Sequence, residues 1–123
     1  MKVIETKKAP AAIGPYSQAI IANGFLFASG QIPIIPETGA IAEGDIKVQA
    51  TQVMKNIGEL LKAADTDYEH VVKTTCFLAD MADFQAFNEV YAGYFTSKPA
   101  RSCVAVKQLP KNVLCEVEVT ACL

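Results

Sequence analysis

The sequence predicts an α+β domain in which two amphipathic helices cover one face of a sheet of five or six strands. Three observations carry that reading. Asn23-Gly24 marks a tight hairpin, residues 46–64 and 84–95 repeat apolar side chains at helical spacing, and strand-like runs lie before, between and after those helices. The resulting order, β-β-β-α-β-α-β-β, distributes strands around two helices and fits an α+β sandwich. With 123 residues the chain is one domain, 1–123, and a domain of this size buries roughly two-thirds of the surface its unfolded form exposes. Half of it is hydrophobic (51%), which excludes a disordered chain, and its net charge of −2 offers no basic footprint for nucleic acid. No apolar run is long enough to span a bilayer and no signal-like segment opens the chain, so a cytoplasmic protein acting on small molecules is expected.

The elements follow in order. Asn-Gly supplies the two positive φ values of a type I′ turn, so residues 16–22 and 25–30 read as a hairpin. Sequence parity there groups Ile20 with Leu26, and Ile21 with Phe25 and Phe27. The hairpin ends in Ser29-Gly30-Gln31, where a glycine permits close approach of a ligand or of another backbone, or simply a bend. Pro33, Pro36 and Glu37-Thr38-Gly39 mark a loop before a short strand around 40–42. Asp45 is placed to cap a helix in which Ile46, Ala50, Val53, Ile57, Leu60, Leu61 and Ala64 share a face, ending at Asp65-Thr66-Asp67. Residues 70–79 read as a buried strand. Asp80 or Asp83 then caps a second helix whose stripe of Phe84, Phe87, Tyr91, Tyr94 and Phe95 reads as core, with Asn88 on or beside it as a capping or lining group.

The four cysteines, Cys76, Cys103, Cys115 and Cys122, have no C-x-x-C spacing and read for the most part as reduced, buried thiols. A single histidine, His70, argues against a zinc site or a histidine-based triad.

Chemistry concentrates in Pro99-Ala-Arg-Ser-Cys-Val-Ala-Val106. Proline opens a strand whose alternation puts Arg101, Cys103 and Ala105 on one face. In the next strand, 113–121, Val113, Cys115, Val117, Val119 and Ala121 face one way and Glu116, Glu118 and Thr120 the other. Pairing these strands as a hairpin across 108–112 would let Arg101 and one glutamate flank a common pocket. There Arg101 either forms a salt bridge within the sheet or binds a ligand carboxylate through its fork of donors. A nearby glutamate could orient or activate water. Cys103 is open to three roles, nucleophile, oxidation sensor and inert wall. Two helices cover only one side of such a sheet, so the other side, still rich in apolar side chains, is expected to close a homo-oligomer with ligand pockets at subunit boundaries.

Four separated blocks go further by resemblance. Ala11-Ala-Ile-Gly-Pro-Tyr-Ser-Gln18, Ala28-Ser-Gly-Gln-Ile-Pro33, Asn88-Glu-Val-Tyr91, and Pro99-Ala-Arg-Ser-Cys-Val104 followed by Glu116 resemble the RidA/YjgF family in order and spacing, over essentially the whole chain. The resemblance implies a chorismate-mutase-like (RidA) fold, a five- to six-stranded mixed sheet with two helices on one face, assembled as a homotrimer with clefts between subunits. It implies hydrolysis of reactive enamines and imines, such as 2-aminoacrylate and 2-iminopropanoate, to 2-keto acids and ammonia. By the same resemblance Arg101 would clamp the substrate carboxylate and Glu116 would position water. Ser29, Gly30 and Cys103 would line the site, Tyr16 would close one wall, and Asn88 would lie nearby. Water addition to C=N and collapse of the carbinolamine call for no metal and no cofactor. The chain departs from the family pattern at Cys115, usually aliphatic, and at Val117, usually Ile or Met. Two rival readings accompany the resemblance: a non-catalytic module that binds 2-keto acids and regulates partner proteins, and a nuclease, which the acidic balance and single histidine disfavour.

Overall fold

Asn23 and Gly24 have φ values of 51° and 79°, and the turn they make pairs β2 (Ala19–Ala22) with β3 (Phe25–Ala28). A two-residue turn pairs positions of opposite sequence parity. Ile21 therefore lies opposite Leu26, and Ile20 opposite Phe27, which corrects the grouping expected from parity alone. Leu26 is fully buried while Phe25 and Phe27 are exposed. The strands thus divide into a helix-covered face and an open face.

The computed structural model describes residues 1–123. Before the hairpin comes β1 (Lys2–Ile4), and after it come α1 (Ile46–Ala63), β4 (Val71–Leu78), α2 (Phe84–Tyr94), β5 (Ala100–Ala105) and β6 (Cys115–Cys122). The six strands form one mixed sheet in the order β1-β2-β3-β6-β4-β5, antiparallel throughout except for the parallel pair β4–β5. The expected string of elements holds, but its third strand does not. Residues 40–42 contribute only an isolated bridge between Ile34 and Ile41, and β1, three residues too short to show alternation, takes the missing place.

Asp45 caps α1 by accepting the Val48 N–H at 3.0 Å. The helix closes in a Schellman motif: Thr66 N–H bonds Leu61 O, Asp65 N–H bonds Lys62 O, and Asp65 takes the left-handed conformation at φ 57°. Its inner face, including Val53, Met54, Ile57 and Leu60, packs with Phe87 and Phe95 onto Leu26, Leu78 and Val117. Two polar residues of α1 are buried with this face and tie down the irregular stretch after β3. Asn56 Nδ2 donates to Ile32 O and Ile34 O, while Gln49 Nε2 donates to Ala42 O and its Oε1 accepts from Leu114 N–H. At α2, Asp80 caps a preceding single turn by accepting from Ala82 N–H, and Asp83 makes no side-chain cap. No helix is long and apolar enough to cross a membrane.

The expected hairpin between the last two strands does not form. β6 crosses to the centre of the sheet, between β3 and β4, and β5 pairs instead with β4. Burial explains the exchange. The segment with Cys115, Val117, Val119 and Ala121 on one face gains most under α1, and all four are buried. The strand bearing Arg101 and Ser102 is left at the edge, where polar side chains retain access to water.

Candidate active site

Register decides where each candidate residue points. Arg101 and Cys103 lie across from Thr74 and Cys76, which are fully buried beneath the helices, so both belong to the helix-covered face. Glu116 lies across from Phe77 and alternates with the buried Cys115 and Val117, so it belongs to the open face. Arg101 and Glu116 therefore stand on opposite sides of the sheet with β4 between their strands. The common intrachain pocket is overturned, and with it the Arg101 salt bridge to Glu116 or Glu118.

One half-site is built around Arg101. Its Nη1 donates to Asn88 Oδ1 at 2.7 Å, and its Cζ lies 4.7 Å from the Tyr91 ring centroid and 5.4 Å from that of Phe84. Asn88 reaches it because Phe84, Asn88 and Tyr91 are spaced i, i+4, i+7 on one face of α2. An open cleft of about 470 Å³ borders this group, lined by Asn88, Tyr91, Phe95, Lys98, Pro99 and Arg101. Lys47 pairs with Glu89 and the His70 ring hydrogen-bonds to Asp67, and the Arg101 guanidinium has no carboxylate of its own chain. Cys103 sits beside it. Burial pushes the Cys103 thiol pKa up, against the opposing pull of Arg101, and it pushes Cys76 up to about 12. The thiol at Cys103 is therefore protonated at neutral pH, the state of a lining group.

The other half-site gathers Ser29, Gly30 and Glu116. Gln31 and Val117 exchange two backbone hydrogen bonds of 2.8 and 3.1 Å, which brings Gly30 directly over the Glu116 side chain. A Cβ at Gly30 would overlap the carboxylate, lying 2.8 Å from its Cδ, so glycine here is a matter of space. The Gly30 N–H makes no hydrogen bond within the chain. Ser29 Oγ donates to Ser17 O at 2.6 Å and so holds the segment that carries Tyr16. Tyr16 is half exposed and borders a separate groove of about 730 Å³ formed with the N-terminal residues. Strand alternation alone leaves Glu116 and Glu118 equivalent. Their surroundings separate them: Glu118 is exposed, whereas Glu116 is half-buried, and desolvation, followed by the Glu118 charge, raises its carboxyl pKa.

The family model described as Endoribonuclease L-PSP matches residues 6–123. The chain belongs to this family, known also as RidA/YjgF. A RutC family protein of Synechocystis is 54% identical, over 100% of this chain and 97% of its own. Human 2-iminobutanoate/2-iminopropanoate deaminase is 48% identical, over 98% of this chain and 88% of its own. The crystal structure of E. coli TdcF with bound serine superposes with a TM-score of 0.95 at 41% identity, covering 100% of this chain and 99% of its own. The RidA-like residues of this chain thus fall into two groups, Arg101 with Asn88 and Cys103, and Glu116 with Ser29 and Gly30. Residue types alone failed to flag Tyr91, Phe84 and Thr74 around Arg101. The available signal was a lone asparagine in an aromatic stripe, a polar group that needs a partner on the facing strand.

Proposed function

We propose that this chain hydrolyses small 2-imino acids and their enamine tautomers to 2-keto acids and ammonia, in clefts between the subunits of a homotrimer. The observation that carries this reading is Arg101, a guanidinium fixed by a neutral amide and two aromatic rings and left without an acid of its own. Four of its five N–H donors remain for a planar anion. The human relative is named for substrates that carry a carboxylate, and TdcF binds serine, which carries one too.

Assembly supplies what a single copy lacks. The open face exposes Val3, Phe25, Phe27 and Val104, apolar side chains that a second copy would cover. Packing of that kind brings Glu116 and Gly30 of one subunit toward the Arg101 edge of another. In the cleft Arg101 would hold the carboxylate, with Asn88, Cys103 and Tyr16 as walls and Ser29 and Gly30 contributing backbone groups. Glu116 would take a proton from water as its oxygen bonds to the C=N carbon. Returned to nitrogen, that proton completes the carbinolamine; Glu116 would then pass the hydroxyl proton to the amine as the C–N bond breaks and C=O forms, which releases keto acid and ammonia. A raised carboxyl pKa suits a group that must both accept and release a proton.

A coupled assay tests this. With a dehydratase generating 2-aminoacrylate, wild type should accelerate pyruvate and ammonia release, and Arg101→Ala and Glu116→Ala should each lose most of that acceleration. Keto-acid binding that depends on Arg101, without any turnover, would replace the deaminase with the regulatory module.

A further inference from the structure

No carboxylate of the chain holds Arg101, so whatever orders its side chain is neutral. Asn88 takes one N–H, and Phe84 and Tyr91 offer their rings. Tyr91 is the group among these that is itself locked. Its hydroxyl shares a 2.7 Å hydrogen bond with Thr74 Oγ1, and Thr74 is fully buried. Thr74 lies on β4 directly across from Arg101 on β5. Phe95 and Phe87 pack on the same ring, with centroids 4.6 and 6.0 Å away, which leaves it little freedom to turn.

We infer that Tyr91 is the positioning residue of the carboxylate clamp: anchored to β4 through Thr74, it presents a ring face that holds the Arg101 guanidinium extended toward the cleft before ligand arrives. Phe84, partly exposed at the start of α2, adds a second, weaker ring. An arginine ordered in advance loses less rotamer freedom on binding, so the device acts on affinity. It raises the binding of substrate and transition state alike, which appears in KM and leaves kcat nearly untouched. The kinetic consequence rests on the deaminase reading; the ordering of Arg101 does not.

The test measures two quantities in wild type, Tyr91→Leu and Phe84→Leu. One is the order of the Arg101 Nε–H bond by ¹⁵N relaxation, and the other is the KM and kcat of imine hydrolysis. In Tyr91→Leu the Nε–H order should drop and KM should rise about tenfold, the scale of a partly desolvated cation–π contact, with kcat changed far less. Phe84→Leu should shift both in the same direction by less. If Tyr91→Leu does not fold, Phe84→Leu and the pair Tyr91→Phe with Thr74→Val, which keeps the ring and removes its anchor, carry the test. Wild-type Arg101 order and wild-type KM in the folded variants would overturn the inference, as would a loss confined to kcat. Arg101 disordered in Tyr91→Leu, in a protein whose wild type turns over no imine, would retain the positioning role and sink the deaminase reading.

Discussion

The two half-sites handle charge in opposite ways. Arg101 contacts an amide oxygen and ring faces, none of which competes as an anion, and it stands at an edge strand open to water. Glu116 is pressed against the Gly30 backbone, half out of water, and Glu118 adds a like charge on the same face of β6. The cation is left free to bind, and the acid is biased to pick up a proton. A single chain can build each environment, but not both on one side of the sheet. The contrast predicts that the acid controls rate and the cation controls affinity.

The largest expected effect tests the acid. Glu116→Gln should lower kcat by about 10² to 10⁴, the range for a general acid–base group. The same substitution should leave thermal stability unchanged or slightly raised at neutral pH. The sign follows from the direction of the shift: a carboxyl whose pKa is raised on folding binds a proton more readily in the native state. Its contribution to stability is full below the ordinary carboxylate pKa and is lost as pH rises through the raised value. Above the raised pKa the half-buried carboxylate is therefore a cost that glutamine removes. The acid limb of kcat/KM should likewise lie above the ordinary carboxylate range in wild type, and Glu118→Gln should move it to lower pH. A limb at the ordinary value, indifferent to Glu118, would contradict this account of Glu116.

A smaller effect tests the spacing. Gly30→Ala puts a methyl group where the Glu116 carboxylate lies, so the carboxylate must swing away while the charge itself is kept. A displacement of this size should cost about 10- to 10²-fold in kcat, and the pH limb should move down as the carboxyl regains water. Wild-type kinetics in Gly30→Ala would show that the close contact does not position the acid.

Local signals were legible and the decisive long-range one was not. Asn23-Gly24, Asp45 and the stop at Asp65 are written in a few adjacent residues whose backbone preferences carry over unchanged into the fold. The faces of β5 and β6 were also legible, since alternation assigns Arg101 with Cys103, and Glu116 with Glu118, correctly. Which strand lies beside which is a different kind of fact. Nothing local to residues 106–114 distinguishes a hairpin from a crossing over β4; the choice is made by the competition of apolar segments for the space under α1. A β5–β6 hairpin would place Arg101 and Glu116 in a shared pocket, and the crossing separates them. The second role of the aromatic stripe was hidden for a related reason: Tyr91 reads as core and is core, and only the placement of β5 shows that the outer edge of the stripe, at Tyr91 and Phe84, also meets a guanidinium.

The smallest expected effect concerns Cys103, which shares the arginine side of the comparison yet behaves like the acid side. A cation close by would ordinarily favour a thiolate. Here burial outweighs Arg101, and the thiol pKa goes up. An electrophilic imine held by Arg101 in the proposed cleft would therefore meet a protonated thiol, which is a poor nucleophile. Alkylation of Cys103 by iodoacetamide should be slow at neutral pH and should accelerate about tenfold per pH unit until the pH passes the raised pKa. Arg101→Gln should slow it further, because the larger of the two influences favouring thiolate is gone and only the Cys76 hydrogen bond is left. Rapid labelling of Cys103 at pH 7, faster than that of an unfolded cysteine, would show that the cation dominates after all and would return Cys103 to the list of reactive groups.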